Sequence, residues 1–193
     1  MKNDYEKVIK EILNVNYAGE FGACNLYKSQ ILIAKLFHKD LLGMLLEIKK
    51  DEVLHCKIFK HEMKKYNMVP CKLTWIWGVA GFILGLTTAL LGRRALLLGV
   101  SAAEITAHKH LESQIHYLKE HDSNLSKVIT EVNTHEKNHS NLAEKYLAEK
   151  AISNLEKTFH KAICKICNAT MWVVTRGESA KLDKILEMHM KKV

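Results

Sequence analysis

Apolar residues recur at helical spacing along four stretches of the chain. The first stretch reads Ile9, Leu13, Glu20, Cys24, Tyr27, Ile31, and the second Leu41, Leu45, Ile48, Glu52, His55, Phe59. The third reads Leu97, Val100, Glu104, Ala107, Leu111, Ile115, Leu118, and the fourth Leu125, Val128, Val132, Glu136, His139, Leu142, Tyr146. Steps of three and four keep each set on one helix face, so four amphipathic helices sharing a core are expected. Read coarsely, helices cover 3–37, 39–67, 94–120, 124–150 and 153–175, with a short one after Gly177. Asn67 through Pro70 and Ser123-Asn124 mark turns. Strand alternation is absent and Pro70 is the only proline. The fold class is therefore all-α: two helical hairpins making a four-helix bundle, an apolar connecting segment and C-terminal helices, in one domain over 1–193.

Each stripe is interrupted by a charged or ionisable group, and the interruptions repeat. Glu20 precedes Glu52-x-x-His55 by 32 positions, and Glu104 precedes Glu136-x-x-His139 by the same offset. Positions i and i+3 share a helix face, so each Glu and His can point at one centre. The offset is long enough to finish one helix, turn, and return to the same depth. A single Glu-x-x-His arises easily by accident, and any one of these residues alone reads as a boundary residue or a satisfied core group. Four inward carboxylates with no Lys or Arg on the same stripes are different. Like charges in a low dielectric repel strongly and need protons or cations between them. Glu20, Glu52, His55, Glu104, Glu136 and His139 are thus the candidate ligands of a metal pair, in the arrangement of a two-metal carboxylate bundle. Four carboxylates and two imidazoles without a thiolate favour iron or manganese over structural zinc, and two iron ions are the expectation.

Between Lys72 and Arg93 the chain carries no charge, LTWIWGVAGFILGLTTALLG. A bilayer crossing here would separate the two halves of the ligand set, so segment 73–92 is expected to lie on or dip into one leaflet as a membrane-contacting insertion. Trp75 and Trp77 at one end and Arg93 and Arg94 at the other suit an interfacial anchor. The five glycines from Gly78 to Gly99 suit helical pieces with a break and close contacts. The net charge of +8, with lysines at Lys49, Lys50, Lys57, Lys60, Lys64 and Lys65, fits an anionic surface. No nucleic-acid motif accompanies it, so no nucleic-acid partner is expected. Five cysteines without framework spacing indicate a reducing compartment, and Cys164-x-x-Cys167 reads as two core-side thiols. The N-terminal MKNDYEKVIKEIL opens directly on an amphipathic helix without a signal-peptide stretch, the expectation for an intracellular chain.

Several segments together resemble the demethoxyubiquinone hydroxylases of ubiquinone biosynthesis. They are VNYAGEFGACNLYKSQ with Glu20, DEVLHCKIF with Glu52 and His55, GFILGLTTALLGRRALL, SAAEITAHKHLESQI with Glu104, HEKNHSNLAE with Glu136 and His139, and FHKAICKICNATMWVVTR. The resemblance runs from about residue 8 to residue 176. It implies a ferritin-like, membrane-associated di-iron monooxygenase that hydroxylates the ring of a polyprenyl quinone precursor. Implied with it are O2, an electron donor such as NADH, Glu52 and Glu136 as bridging ligands, and Glu20 with His55 and Glu104 with His139 as terminal ones. The implied location is peripheral, on the cytoplasmic face of the inner membrane in a bacterium, as a homo-oligomer or beside other quinone-biosynthesis proteins. Two positions depart from the family pattern: His110-Leu111 stands where His-Tyr is common, and Thr175-Arg176-Gly177-Glu178 replaces the usual Ser-Glu-Arg region. A ferritin-like ferroxidase or a non-catalytic membrane-bound helical scaffold are the alternatives on the same fold.

Overall fold

The computed structural model describes residues 2–174 and 178–190, and every regular element among them is helical. Helix α1 (Lys2–Phe37) returns through a short 3-10 turn (Lys39–Leu41) into α2 (Leu42–Lys65). Then come α3 (Thr74–Leu90), α4 (Arg93–His121), α5 (Ser123–Leu147), α6 (Asn154–Val174) and α7 (Glu178–Met190). The departure at Thr175, Arg176 and Gly177 lies outside the described residues.

Local chemistry explains where the hairpins turn. At the end of α2, Asn67 takes the left-handed conformation with φ 55°. Its N–H donates to the Lys64 carbonyl, and that of Met68 to the Met63 carbonyl, which closes the last turn in a Schellman motif. Asp122 ends α4 and caps α5, its side chain accepting from the N–H groups of Asn124 and Leu125 at 3.1 and 3.0 Å. Between α3 and α4 the chain turns at Gly92 with φ 106°, a backbone state that disfavours any side chain.

Helices α1 and α2 form one hairpin and α4 and α5 the other, and α1 meets α4 as α2 meets α5. The core divides into two apolar clusters. One gathers Ile12, Leu13, Phe59, Met63, Leu118, Leu125 and Ile129; the other gathers Tyr27, Ile31, Leu45, Ile48, Leu97, Val100 and Ala143. The six candidate ligands fall between these clusters in sequence on every helix, so they form a polar layer enclosed by apolar packing. The expected face of α2 is buried throughout, and those of α1 and α4 are buried except at Cys24, Ala107 and Ile115, which are half-buried. On α5 the face is rotated: Ile129, Ala143 and Leu147 are buried, while Val128, Leu142 and Tyr146 flank them.

The segment expected to be helical in pieces is one unbroken helix, α3. Its glycines serve contact instead of a break. A Cβ at Gly81 would lie 2.2 Å from the Gly22 carbonyl oxygen of α1, and one at Gly85 equally close to that of Leu26. The two backbones therefore touch along this line, as small residues permit. No helix among the described residues is long and apolar enough to cross a membrane. The anchor layout also changes. Trp75 is 62% exposed, but Trp77 is 6% exposed and packs into the core. Arg93 binds Asp40 at 2.7 Å and Glu149 at 3.1 Å, and Arg94 binds Glu156 at 2.5 Å, so both tie helix ends together.

Candidate metal centre

Helix α1 delivers Glu20, α2 delivers Glu52 and His55 one turn apart, α4 delivers Glu104, and α5 delivers Glu136 and His139. All six side chains are buried and converge. They form two groups, Glu20, Glu52, His55, Glu136 and Glu52, Glu104, Glu136, His139, each with ligand atoms within 4.8 Å of one another. Glu52 and Glu136 belong to both. His55 Nδ1 lies 3.1 Å from Glu136, 3.5 Å from Glu20 and 3.8 Å from Glu52. His139 Nδ1 lies 3.4 Å from Glu52 and 3.4 Å from Glu104.

These atoms are close without being aligned to one another. Both oxygens of Glu52, one each of Glu104 and Glu136, and Nδ1 of His55 and His139 are buried with no aligned hydrogen-bond partner. A buried polar atom left so costs about 1–3 kcal/mol. Six in one layer are not sustained by a stable core unless something else lies among them. A cation pair would satisfy all six, since each belongs to a group whose ligand atoms lie within 4.8 Å of one another.

The electrostatics agree. Burial, reinforced by the Glu52 charge, pushes the Glu20 carboxyl well above its usual range. Burial and the charges of Glu52, Glu104 and Glu20 do the same to Glu136. Burial pushes Glu52 upward too, but contact with His139 and His55 outweighs it and holds that carboxyl at about 2. Burial works against charge on the imidazoles, yet the surrounding carboxylates raise both, His139 to about 10. Without metal the layer is thus neutralised by protons taken up on His and Glu.

A further set of residues supports the six. His139 Nε2 donates to Asp51 Oδ2 at 3.1 Å, and His55 Nε2 lies 3.1 Å from His135 Nδ1. Asp51 directly precedes Glu52, and His135 directly precedes Glu136, so a repeated position supplies each outer partner across the bundle. That shared offset was the available signal. The Tyr27 hydroxyl donates to Glu104 Oε1. Burial, then the Glu104 charge, drives the Tyr27 phenol well above its usual range.

A cavity of about 510 Å³ opens onto the carboxylates between α1, α3, α4 and α6. Glu20, Glu52, Glu104 and Glu136 line its inner end, and Trp77, Ala80, Leu84, Leu111 and Met171 its apolar walls. Gly19 faces open space, whereas Gly22 is occupied by packing against Trp77. Ile83 and Ile166 line the cavity and are exposed, which places its mouth at the outer face of α3 and α6. His110 sits at the edge, its Nε2 2.9 Å from Asn168 and its Nδ1 3.4 Å from Asp183, while Leu111 is buried in the core. Cys164 faces the Ala102 carbonyl and His160, and Cys167 lines the cavity; both are half-buried, where core-side thiols were expected.

Comparison with known proteins gives the same direction. The family model of the ubiquinone biosynthesis protein COQ7 matches residues 7–174. The NADPH-dependent 3-demethoxyubiquinone 3-hydroxylase of Dictyostelium discoideum is 28% identical over 173 residues, 88% of this chain and 78% of the relative. The rat protein of the same name is 31% identical over 123 residues, 64% of this chain and 56% of the relative. The 3-demethoxyubiquinol 3-hydroxylase of Legionella pneumophila strain Lens is 28% identical over 138 residues, 72% of this chain and 64% of the relative. With most of its length matched by the family model, the chain belongs to the family of the ubiquinone biosynthesis protein COQ7.

Proposed function

We propose that this chain is a di-iron monooxygenase hydroxylating the ring of a demethoxy polyprenyl benzoquinone or benzoquinol in ubiquinone biosynthesis. The observation that carries the reading is the pair of ligand groups at the inner end of an apolar cavity, in a chain of this family. Carboxylates and imidazoles without thiolate suit iron. Glu20, Glu52, His55 and Glu136 would hold one ion, and Glu52, Glu104, Glu136 and His139 the other. Bound there, two iron ions supply the redox chemistry that turns O2 into a hydroxylating reagent.

The remaining work falls to the protein. Asp51 and His135 fix the two imidazole rings so that Nδ1 faces inward. Gly19 leaves room for a planar ring beside Glu20. Trp77, Leu84 and Met171 exclude water from the ring and give an isoprenoid tail an apolar path to the mouth at Ile83. Exposed Trp75, Val79, Ile83 and Leu90 then form an apolar outer face on α3 that rests on a membrane surface, where the lipid substrate resides. The names of the Dictyostelium and rat relatives favour NADPH as the source of electrons, in place of the NADH expected at first.

A cage-forming iron store has no use for an apolar cavity ending on its carboxylates, and a scaffold has none for the orphaned ligand atoms. Lipid analysis of a strain lacking the protein tests the function. Accumulation of a quinone precursor one ring oxygen short is expected, and an unchanged quinone pool would sink the substrate claim. Purified protein carrying no iron would sink the metal claim.

A further inference from the structure

Beside the metal centre lies a thiol pair that the proposed reaction does not use. Cys24 of α1 and Cys56 of α2 bring their Sγ atoms to 3.9 Å, and both side chains are half-buried. Their separation of 32 positions equals that of Glu20 and Glu52. Because α1 and α2 run antiparallel, Cys24 and Cys56 lie one turn from Glu20 and Glu52 in opposite axial directions, and the thiols meet as a separate contact across the hairpin. The other cysteines are placed differently: the Cys71 sulfur accepts from the Leu73 N–H, Cys164 faces a carbonyl and an imidazole, and Cys167 lines the cavity.

We propose that Cys24 and Cys56 are a redox-reactive dithiol that closes to an intrachain disulfide by exchange with a small disulfide of the glutathione class. One protein thiolate attacks a sulfur of the small disulfide; its S–S bond breaks and one small thiol departs, taking up a proton. The second protein thiol then displaces the other small thiol from the mixed disulfide. Two protein thiols give up two electrons and two protons, and one small disulfide becomes two thiols. Closure needs the sulfurs to approach from 3.9 Å to about 2.05 Å. Rotation of two side chains on helices already packed together supplies that approach. Both thiols are partly exposed, so a small oxidant reaches them.

The bond ties α1 to α2 one turn beyond Glu20 and next to His55. On the proposed function, it clamps the two helices that hold one end of the metal pair.

The test holds the iron-loaded protein without air in glutathione buffers of graded ratio, followed by alkylation and peptide mass mapping. Oxidising buffers are expected to yield a Cys24–Cys56 linked peptide lighter by two hydrogens, reversed by dithiothreitol, with a thermal midpoint raised by several degrees. Cys24→Ser and Cys56→Ser each remove the linked peptide and the thermal shift, and Cys164→Ser leaves both. Glutathione adducts on single cysteines, or free thiols at every ratio, overturn the proposal. Should a serine variant fail to fold, the wild-type map decides alone. Iron content is read on the same sample: two irons without the disulfide defeats only the dithiol, and the disulfide without iron defeats only the metal reading.

Discussion

Removing the metal should change how stability depends on pH. In the metal-free protein the His139 imidazole is raised from 6.5 to about 10, and His55 is raised as well, because carboxylates surround them. A raised imidazole contributes stability that is fully present below its unfolded value near 6.5 and is lost as pH rises through the folded one. Each proton held only by the folded state is worth about 1.4 kcal/mol per pH unit. Two imidazoles therefore remove about 5 kcal/mol between about pH 7 and about pH 9. For a chain of this size that lowers the melting temperature by roughly 10–20 °C. Glu20 and Glu136, also raised, act in the same direction. Metal binding requires deprotonated ligands, so the loaded protein carries no such protons and its melting temperature should stay level across the window. The assay is thermal unfolding by circular dichroism from pH 7 to pH 9, in chelator and in excess Mn²⁺ with air excluded, the Mn²⁺ standing in for iron. Parallel curves for the two forms would refute the protonated apo layer.

Four further outcomes follow from the same geometry. Glu136→Ala removes a ligand common to both groups, so metal content by plasma emission should fall from two per chain to below one and hydroxylation should be lost; two irons with normal turnover would remove the assignment. Gly81→Ala places a Cβ against the α1 backbone, where no side chain can yield, and should cost about 1–3 kcal/mol in urea denaturation. Gly19→Leu meets open space at its Cβ and grows into the cavity, so it should raise KM for the quinol while melting temperature and iron content hold. Asp51→Ala leaves His139 Nε2 without its acceptor and should weaken Mn²⁺ binding about 10–100-fold in a calorimetric titration.

What the sequence disclosed follows from the range over which each signal acts. The convergence of the six candidate side chains was legible because helix period and a repeated offset are local regularities, and their burial follows from the same period. The Asn67 turn was legible because left-handed backbone favours few residue types. The state of segment 73–92 was not. Glycine permits both a break and a close approach, and only the neighbouring helix decides which. At Gly81 and Gly85 the α1 backbone is close enough that continuity of α3 is the packed solution. Arg93 and Arg94 illustrate the same limit: their acidic partners Asp40, Glu149 and Glu156 lie on other elements, and nothing nearby in sequence identifies them.

The two imidazoles differ in their outer partners. The ligand set is symmetric, but its support is not: His139 leans on the carboxylate of Asp51, and His55 on the imidazole of His135. A carboxylate acceptor makes an imidazole a stronger donor to a metal than a neutral ring nitrogen does, since it stabilises the charge withdrawn through the ring. On the proposed function, two positions built from the same ligand types would therefore hold their ions unequally, with the tighter grip on the Glu104 and His139 side. The looser side is the one joined to Glu20, whose carboxylate borders the cavity beside Gly19. Glu104 borders the same cavity as Glu20, so the asymmetry lies in the outer support of the imidazoles and not in access to the cavity.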